Sequence, residues 1–147
     1  MNIRRLTPED LPLFRAVNQL FANVFEMPEE YGGSPPDDVY VHRLLGKPHV
    51  IILAAMEGEE VIGALTAYEL EKFEQARSEI YIYDLAVLEA HRCRGVASAL
   101  IEQTRTIARQ CGAWTVFVQA DWDDTAPVTL YTKLGHREDV HHFDIKP

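Results

Sequence analysis

The sequence predicts one α/β domain in which a mixed β-sheet is flanked by helices, and three observations support this fold class. Apolar residues recur at helical spacing over residues 11–25 and again over residues 96–111. Two apolar runs of strand length, residues 49–56 and 78–87, lie between these helices. The chain has 147 residues, near the commonest domain size, so we assign residues 1–147 to one domain.

The first half of the chain is predicted to begin with a strand and a helix. Thr7 can cap that helix and Pro8 fits its first position, so we expect it to extend to about residue 25. Three prolines and two glycines then indicate a loop over residues 26–36. The other elements predicted here are a strand at 2–6, a second helix from Asp37 or Asp38 to about Gly46, and a hairpin of strands at 49–56 and 61–71.

The second half is predicted to hold two more strands, two helices and an extended final segment. Gly112 ends the longer helix, and Cys111 falls on its apolar side as a small core residue. Asp124 or Thr125 caps the shorter one. In chain order we expect a strand at 78–87, a helix at 96–111, a strand at 114–119, a helix ending before Gly135, and a β-like segment at 137–145 that closes the sheet.

The turn between the strand at 78–87 and the following helix is the most informative segment. Its residues are Arg92-Cys93-Arg94-Gly95-Val96-Ala97, and they fit the pattern [Gln/Arg]-x-x-Gly-x-[Gly/Ala]. Backbone N–H groups and the positive end of the helix dipole converge at such a turn and stabilise an anion. Gly95 allows close approach of a ligand. The turn therefore indicates a pyrophosphate site, although Gly95 could equally serve only to shape the connection.

Charge and composition restrict the classes of partner. The net charge is −9, from 23 acidic and 14 basic side chains, which disfavours nucleic acid or an anionic membrane and fits a cationic substrate. Solubility alone would also explain this charge. The two cysteines form no disulfide framework, and His141 and His142 would point to opposite faces of a strand, so no metal site is predicted. The N-terminus lacks the apolar region of a signal peptide, and we expect a cytoplasmic location.

Two segments, Arg92 to Ala97 and Leu130-Tyr131-Thr132-Lys133-Leu134-Gly135, resemble the GNAT superfamily of acetyl-CoA-dependent N-acetyltransferases. A closer resemblance to the type I aminoglycoside 3-N-acetyltransferases rests on residues 72–75 (KFEQ), 77–87 (RSEIYIYDLAV), 118–121 (VQAD) and 142–145 (HFDI). Three residues depart from the superfamily pattern: Cys93 replaces a basic or polar residue, Asp124 replaces Asn, and Pro127 replaces Ala. The resemblance implies the GNAT fold, with about six to seven strands and about four helices.

The resemblance also implies acetyl-CoA as the cofactor and assigns residues to it. Its pyrophosphate would lie on the backbone of Arg92, Cys93, Arg94, Gly95, Val96 and Ala97, and its pantetheine arm would pair with Leu85, Ala86 and Val87 near Asp124. One N–H group of that strand would stabilise the oxyanion. Tyr131 corresponds to the family's tyrosine, thought to protonate the leaving thiolate, although a tyrosine in such a helix can also be a core residue.

Four carboxylates are candidates for accepting the proton of the substrate amine: Glu79, Asp84, Asp121 and Asp144. Regular alternation would put Glu79 and Asp84 on opposite faces of the strand, but the family's strand has a bulge here that would return them to one face. We favour Asp84 because it lies beside the pantetheine-pairing segment. Glu79, Asp121 and Asp144 are then expected to bind the ammonium groups of the substrate, and Tyr83 to line its pocket.

These expectations describe an acetyl-CoA-dependent aminoglycoside 3-N-acetyltransferase in which the amine attacks the thioester directly and the drug is inactivated. A GNAT enzyme acting on a polyamine or a protein amino group is an alternative. A non-catalytic sensor of acyl-CoA is another. A homodimer is possible.

Overall fold

The computed structural model describes residues 1–147 and has one five-stranded sheet with four α-helices. In chain order the elements are β1 (Asn2–Arg5), α1 (Leu11–Val24), α2 (Asp38–Leu45), β2 (Val50–Glu57), β3 (Glu60–Glu71), β4 (Ser78–Val87), α3 (Val96–Cys111), β5 (Ala113–Val118) and α4 (Thr125–Leu134). A π-helical turn at Glu29–Gly33 and a 3-10 turn at Glu89–His91 were not predicted. None of the helices combines the length and the apolar character needed to cross a membrane.

The sheet keeps the strands in chain order, from β1 to β5. The pairs β1–β2, β2–β3 and β3–β4 are antiparallel and the pair β4–β5 is parallel, so the sheet is mixed as expected. A parallel pair requires a crossover connection, which α3 supplies. The prediction of a strand from Ser78 to Val87 followed by a helix that ends at Cys111 is confirmed.

Helices cover both faces of the sheet, because its strands are apolar on both sides. On one face α1 and α2 pack Phe14, Val17, Phe21 and Val41 over the sheet. On the other face α3 buries Leu100 and its neighbours, and side chains of α4 pack against the same cluster. The ends of β4, α3 and α4 therefore meet on the second face.

The start of α1 differs from the prediction. The helix begins at Leu11, so Pro12 rather than Pro8 lies in its first turn. Asp10 explains the shift, since its carboxylate accepts hydrogen bonds from the Thr7 N–H at 2.8 Å and the Thr7 hydroxyl at 2.7 Å, and it also pairs with Arg4. These bonds fold residues 7–10 into a separate turn.

Two other predictions were wrong. Residues 137–147 form no strand, all are exposed, and the sheet therefore has five strands rather than six to seven. Cys111 is exposed rather than a core residue, because it lies in the last turn of α3 at the edge of the buried face. The β-like pattern of the final segment is real in the sequence, but no strand of its own chain pairs with it.

Gly63 in β3 fixes how closely α3 approaches the sheet, and it gives the first prediction. A Cβ atom at Gly63 would lie 2.8 Å from Cγ1 of Val96, the first residue of α3, and 3.2 Å from the Ala86 carbonyl oxygen. We expect Gly63→Ala to lower the free energy of unfolding by about 1–3 kcal/mol, as overpacking does. Urea denaturation would measure this. Gly32→Ala is the control because a Cβ there meets nothing within 4 Å, and an equal midpoint for both variants would contradict the prediction.

Candidate active site

The segment before α3 presents a row of unpaired backbone donors. Cys93 and Gly95 have positive φ angles of 59° and 81°, which turn the chain into the helix. The amide N–H groups of residues 93–98 donate no backbone hydrogen bond within the protein, and α3 has no side-chain cap. A Cβ atom at Gly95 would meet nothing within 4 Å, so the space in front of the turn is open. Free N–H groups at the positive end of a 16-residue helix form a site for an anion.

The two arginines of this turn are engaged by the protein. The Arg94 guanidinium pairs with Glu57 at 3.1 Å and lies 2.8 Å from Nδ1 of His91. The Arg92 Nε donates to the Val87 carbonyl oxygen at 3.3 Å. The main-chain amides are thus the unpaired donors of this turn, whereas both arginines are bound to other groups of the protein.

The second half of β4 has a free edge. β5 pairs with β4 only from Ser78 to Ile82, whereas β4 continues to Val87 and remains paired with β3 on its other side. Leu85, Ala86 and Val87 therefore lie on a stretch with no strand on the β5 side. Such an edge can accept an extended ligand as an added strand. This stretch ends at Val87, five residues before Arg92, where the turn that leads into α3 begins.

A β-bulge sets the direction of Asp84. Thr66 of β3 pairs with Asp84 and Ala67 pairs with Ile82, so Tyr83 is the extra residue. Glu79 and Asp84 consequently lie on the same face of β4, in line with the expected bulge. Regular alternation would have separated them.

The Asp84 carboxylate is held by two hydroxyl groups. Tyr31 donates to its Oδ1 at 2.9 Å, and Thr66 donates to its Oδ2 at 2.8 Å. Each carboxylate oxygen still has a second acceptor position. Asp84 is therefore fixed in orientation and can still accept a hydrogen bond from an incoming group.

Tyr31 connects this carboxylate to the acidic loop 26–36. Its ring packs against Phe21 and Phe25, with both centroid distances at 5.7 Å. Burial, together with the hydrogen bond to Asp84, raises the pKa of Tyr31 well above its usual value, so the hydroxyl stays a donor at neutral pH. Tyr31 and Thr66 were not predicted as site residues. Thr66 could have been found from the pairing of β3 with β4, whereas Tyr31 lies 53 residues from Asp84 and carries no local signal.

Aromatic rings continue from Asp84 across to β5. Tyr83 is 63% exposed and meets the edges of Tyr68 and Tyr81 at centroid distances of 6.0 and 5.6 Å. Tyr81 stacks on Phe117 of β5 at 4.8 Å, and its hydroxyl donates to Gln119 at 2.7 Å. Burial raises the pKa values of Tyr68 and Tyr81, which remain neutral donors. The predicted pocket residue Tyr83 thus belongs to a group of packed aromatic rings beside a carboxylate.

The other predicted carboxylates lie outside this cluster. Glu79 accepts a hydrogen bond from the Trp114 indole at 3.2 Å and lies 3.6 Å from the Lys72 ammonium group. It is four β3 positions from Asp84 in the register, about 13 Å along the sheet. Asp121 is exposed just after β5. Asp144 lies in the exposed final segment, where its side chain contacts only His142, so this chain's own fold does not bring it to Asp84.

Tyr131 lies on the inner side of α4 and packs against the α3 side of the core. Its hydroxyl has no hydrogen-bond partner in the protein and is therefore available to a ligand. Burial, with a smaller contribution from the charge of Asp124, raises the pKa of Tyr131 to about 12. Asp124 occupies the N-cap position of α4, one of the two positions predicted, although its side chain makes no capping hydrogen bond.

An open strand edge, a helix N-terminus with free amides and a half-buried tyrosine are the parts expected of an acetyl-CoA site. The sequence profile described as "Acetyltransferase (GNAT) family" matches residues 15–136. The chain belongs to the GNAT acetyltransferase family. Members of this family use acetyl-CoA as the acetyl donor.

Curated relatives of this GNAT chain include two rat enzymes. N-acetyltransferase 8B of Rattus norvegicus is 29% identical over 89 residues, which cover 60% of this chain and 40% of that protein. N-acetyltransferase 8F1 of the same species is 25% identical over 95 residues, which cover 65% of this chain and 43% of that protein. The chain spans less than half the length of these relatives.

Two solved structures are similar over nearly the whole GNAT chain. The aminoglycoside acetyltransferase HMB0005, from an uncultured soil metagenomic sample, is 47% identical with a TM-score of 0.97, and the match covers 99% of this chain and 97% of that one. The aminoglycoside acetyltransferase meta-AAC0020 also comes from an uncultured soil metagenomic sample and was solved in complex with sisomicin. It is 34% identical with a TM-score of 0.90, and the match covers 99% of this chain and 95% of that one. The resemblance to aminoglycoside acetyltransferases is therefore confirmed.

Proposed function

We propose that this chain transfers the acetyl group of acetyl-CoA to the 3-amino group of aminoglycoside antibiotics and thereby confers resistance to them. The observation that carries the substrate class is the 47% identity to an aminoglycoside acetyltransferase over 99% of the chain. The choice of the 3-amino group rests on the resemblance of residues 77–87 and 142–145 to the type I enzymes.

The free amides and the open strand edge fit acetyl-CoA. The amides of residues 93–98 would hold its diphosphate, and Leu85, Ala86 and Val87 would pair with its extended arm. When bound, this group supplies an activated acetyl thioester. An N–H group of the same stretch would hold the carbonyl oxygen, a contact typically worth about 2.7–4 kcal/mol in the transition state.

Asp84 is the proposed proton acceptor. Its carboxylate lies beside the free edge and is oriented by Tyr31 and Thr66. An amine must lose a proton before or during attack on a carbonyl. A positioned carboxylate that accepts this proton, directly or through one water molecule, acts as a general base.

Tyr131 is proposed to donate a hydrogen bond to the departing sulfur. Complete proton transfer would be uphill by about 5 kcal/mol, because the pKa of Tyr131 is raised to about 12 and a free thiol titrates near 8.5. Hydrogen-bond donation stabilises the developing charge without this cost. The raised pKa of Tyr131 therefore favours stabilisation over full protonation.

The acidic loop supports a polycationic substrate. Tyr31 anchors the loop beside Asp84, and the neighbouring residues Glu29 and Glu30 are exposed there. Asp121 adds a further exposed carboxylate after β5. Together with the net charge of −9, these groups favour ammonium-rich ligands. Cys93 and Cys111 are both free and exposed, which supports a reducing location such as the cytoplasm.

The role of Tyr31 leads to a prediction. In Tyr31→Phe the ring still packs on Phe21 and Phe25, but Asp84 loses one of its two hydroxyl donors. We expect kcat to fall about tenfold, which corresponds to about 1.4 kcal/mol, with an unchanged KM for acetyl-CoA. Steady-state kinetics would measure both constants. Tyr40→Phe is the control, because that hydroxyl has no hydrogen-bond partner, and equal kinetics for the two variants would remove Tyr31 from the site.

The proposed function is tested with acetyl-CoA and a panel of aminoglycosides, polyamines and peptides. Thiol release should be rapid with sisomicin and related drugs, and NMR of the product should place the acetyl group on the 3-amino nitrogen. A drug already acetylated at that nitrogen should not react. Turnover confined to polyamines or peptides would overturn the aminoglycoside assignment, and coenzyme binding without turnover on any amine would support a sensor.

A further inference from the structure

The turn before α3 has a backbone conformation that needs support from elsewhere in the protein. Cys93 has a φ of 59°, a left-handed value that costs free energy for any residue with a Cβ atom. Gly95 is left-handed as well, with a φ of 81°. Because the amides of residues 93–98 donate no backbone hydrogen bond, main-chain bonds to these amides do not hold the turn in this shape.

One side chain of this segment reaches a distant part of the chain. Arg94 is the only residue of 93–98 whose side chain makes hydrogen bonds. One nitrogen of its guanidinium donates to Oε1 of Glu57 at 3.1 Å, and the other lies 2.8 Å from Nδ1 of His91. Glu57 is the last residue of β2, and His91 is the last residue of the 3-10 turn. Arg94 therefore connects the turn to the end of a sheet strand.

The chemistry of the three groups shows which of them bind each other. An arginine can only donate, so Nδ1 of His91 accepts from Arg94 and the hydrogen of the ring is on Nε2. Nδ1 also lies 3.6 Å from Oε2 of Glu57, but two acceptors do not bond. The carboxylate and the imidazole thus hold the same guanidinium, each at a different nitrogen.

We propose that Glu57 is a positioning residue for the coenzyme. It holds Arg94, and Arg94 keeps the left-handed turn formed before the coenzyme arrives, so that binding does not have to order the turn. Glu57 itself touches no reacting group. The inference rests on the proposed function, in which the amides of this turn bind the diphosphate of acetyl-CoA.

Charge and positioning predict opposite effects of removing this carboxylate. Glu57 is an anion near an anion site, so its charge alone would repel the coenzyme and its loss would tighten binding. Loss of its hold on Arg94 would instead loosen the turn and weaken binding. The Arg94 and Glu57 side chains are 52% and 45% exposed, so solvent screens the charge and we expect a moderate net weakening.

Calorimetric titration of the folded variants with coenzyme A tests the proposal. We expect Glu57→Ala to raise the Kd about fivefold, which corresponds to about 1 kcal/mol. Glu57→Gln should raise it less, because the amide oxygen can still accept from Arg94. Glu59→Ala is the matched control, since it removes an exposed carboxylate of the neighbouring turn that contacts no cation, and its Kd should not rise.

Steady-state kinetics separates the binding of the coenzyme from the chemistry. The KM of Glu57→Ala for acetyl-CoA should rise about fivefold, whereas kcat at saturating acetyl-CoA should stay the same, because Asp84 and Tyr131 are untouched. Thermal denaturation of the same samples should show equal stability for Glu57→Ala and Glu59→Ala. A lower kcat with an unchanged KM would overturn the proposal.

A double variant shows whether Glu57 acts through Arg94. In an Arg94→Ala background, Glu57→Ala should have no further effect on the Kd, because both changes break the same connection. An unchanged or lower Kd in Glu57→Ala alone, or an equal effect of this change with and without Arg94, would overturn the proposal. If the unmodified protein gives no heat with coenzyme A, the proposed function is overturned and this inference with it.

Discussion

Replacing Asp84 by Asn should lower kcat/KM for the aminoglycoside by about 10²- to 10⁴-fold, the range typical of a lost general base. Asn has nearly the same shape and can still accept a hydrogen bond from Tyr31 or Thr66, but it cannot take up the proton of the amine. Affinity for coenzyme A should not change, because the amides of residues 93–98 are untouched. Initial rates and coenzyme titration would measure the two effects separately.

The matched control for this change is Glu102→Gln. It also removes one carboxylate charge, but Glu102 lies on the exposed side of α3 and pairs with Arg105 and Arg109. We expect its activity to equal that of the unmodified protein. If Asp84→Asn is as active as Glu102→Gln, Asp84 is not the proton acceptor, and Glu79 or Asp121 becomes the candidate.

Replacing Tyr131 by Phe should lower kcat about 10²-fold, the lower end of the effect of a lost proton donor. The ring keeps its packing against the core, and the missing hydroxyl had no partner in the protein, so stability should be unchanged. Rates and thermal denaturation of the same samples would check both statements. A Phe variant with normal turnover would exclude Tyr131 from the reaction.

The pH dependence of the rate gives a further check on Tyr131. Burial and the Asp124 charge raise its pKa to about 12, so the hydroxyl stays protonated as the pH rises through 10, where a free tyrosine would ionise. Near pH 10, the rate of the unmodified protein should therefore change with pH in the same way as the rate of Tyr131→Phe. A decline centred near 10 in the unmodified protein alone would contradict this.

Local patterns predicted the central part of the fold. The alternation in β4, the glycine turn and the helical spacing of α3 are all contained within residues 78–111, and each was placed within one or two residues of its observed position. The family resemblance predicted one extra residue between Glu79 and Asp84, and the strand register places it at Tyr83. The spacing of apolar residues and the residue types of a turn each involve only a few neighbouring positions, so both can be recognised from the sequence.

The failures concern interactions between distant residues. Tyr31 reaches Asp84 only because α1 and β4 pack together, and Asp10 moves the start of α1 through its bonds to Thr7 and Arg4. The final segment has a strand pattern but pairs with no strand of its own chain. A period of two predicts an extended conformation and does not identify the partner.

Calorimetric titration of the folded protein with coenzyme A is the decisive experiment, because every proposed step depends on the proposed diphosphate site at the start of α3. We expect saturable heat with one coenzyme bound per chain, and none with adenosine, which has no phosphate. Gly95→Val should remain folded but lose this heat, since a β-branched side chain is strained at a φ of 81° and would fill the open space before the helix. No heat from well-folded unmodified protein would contradict the account.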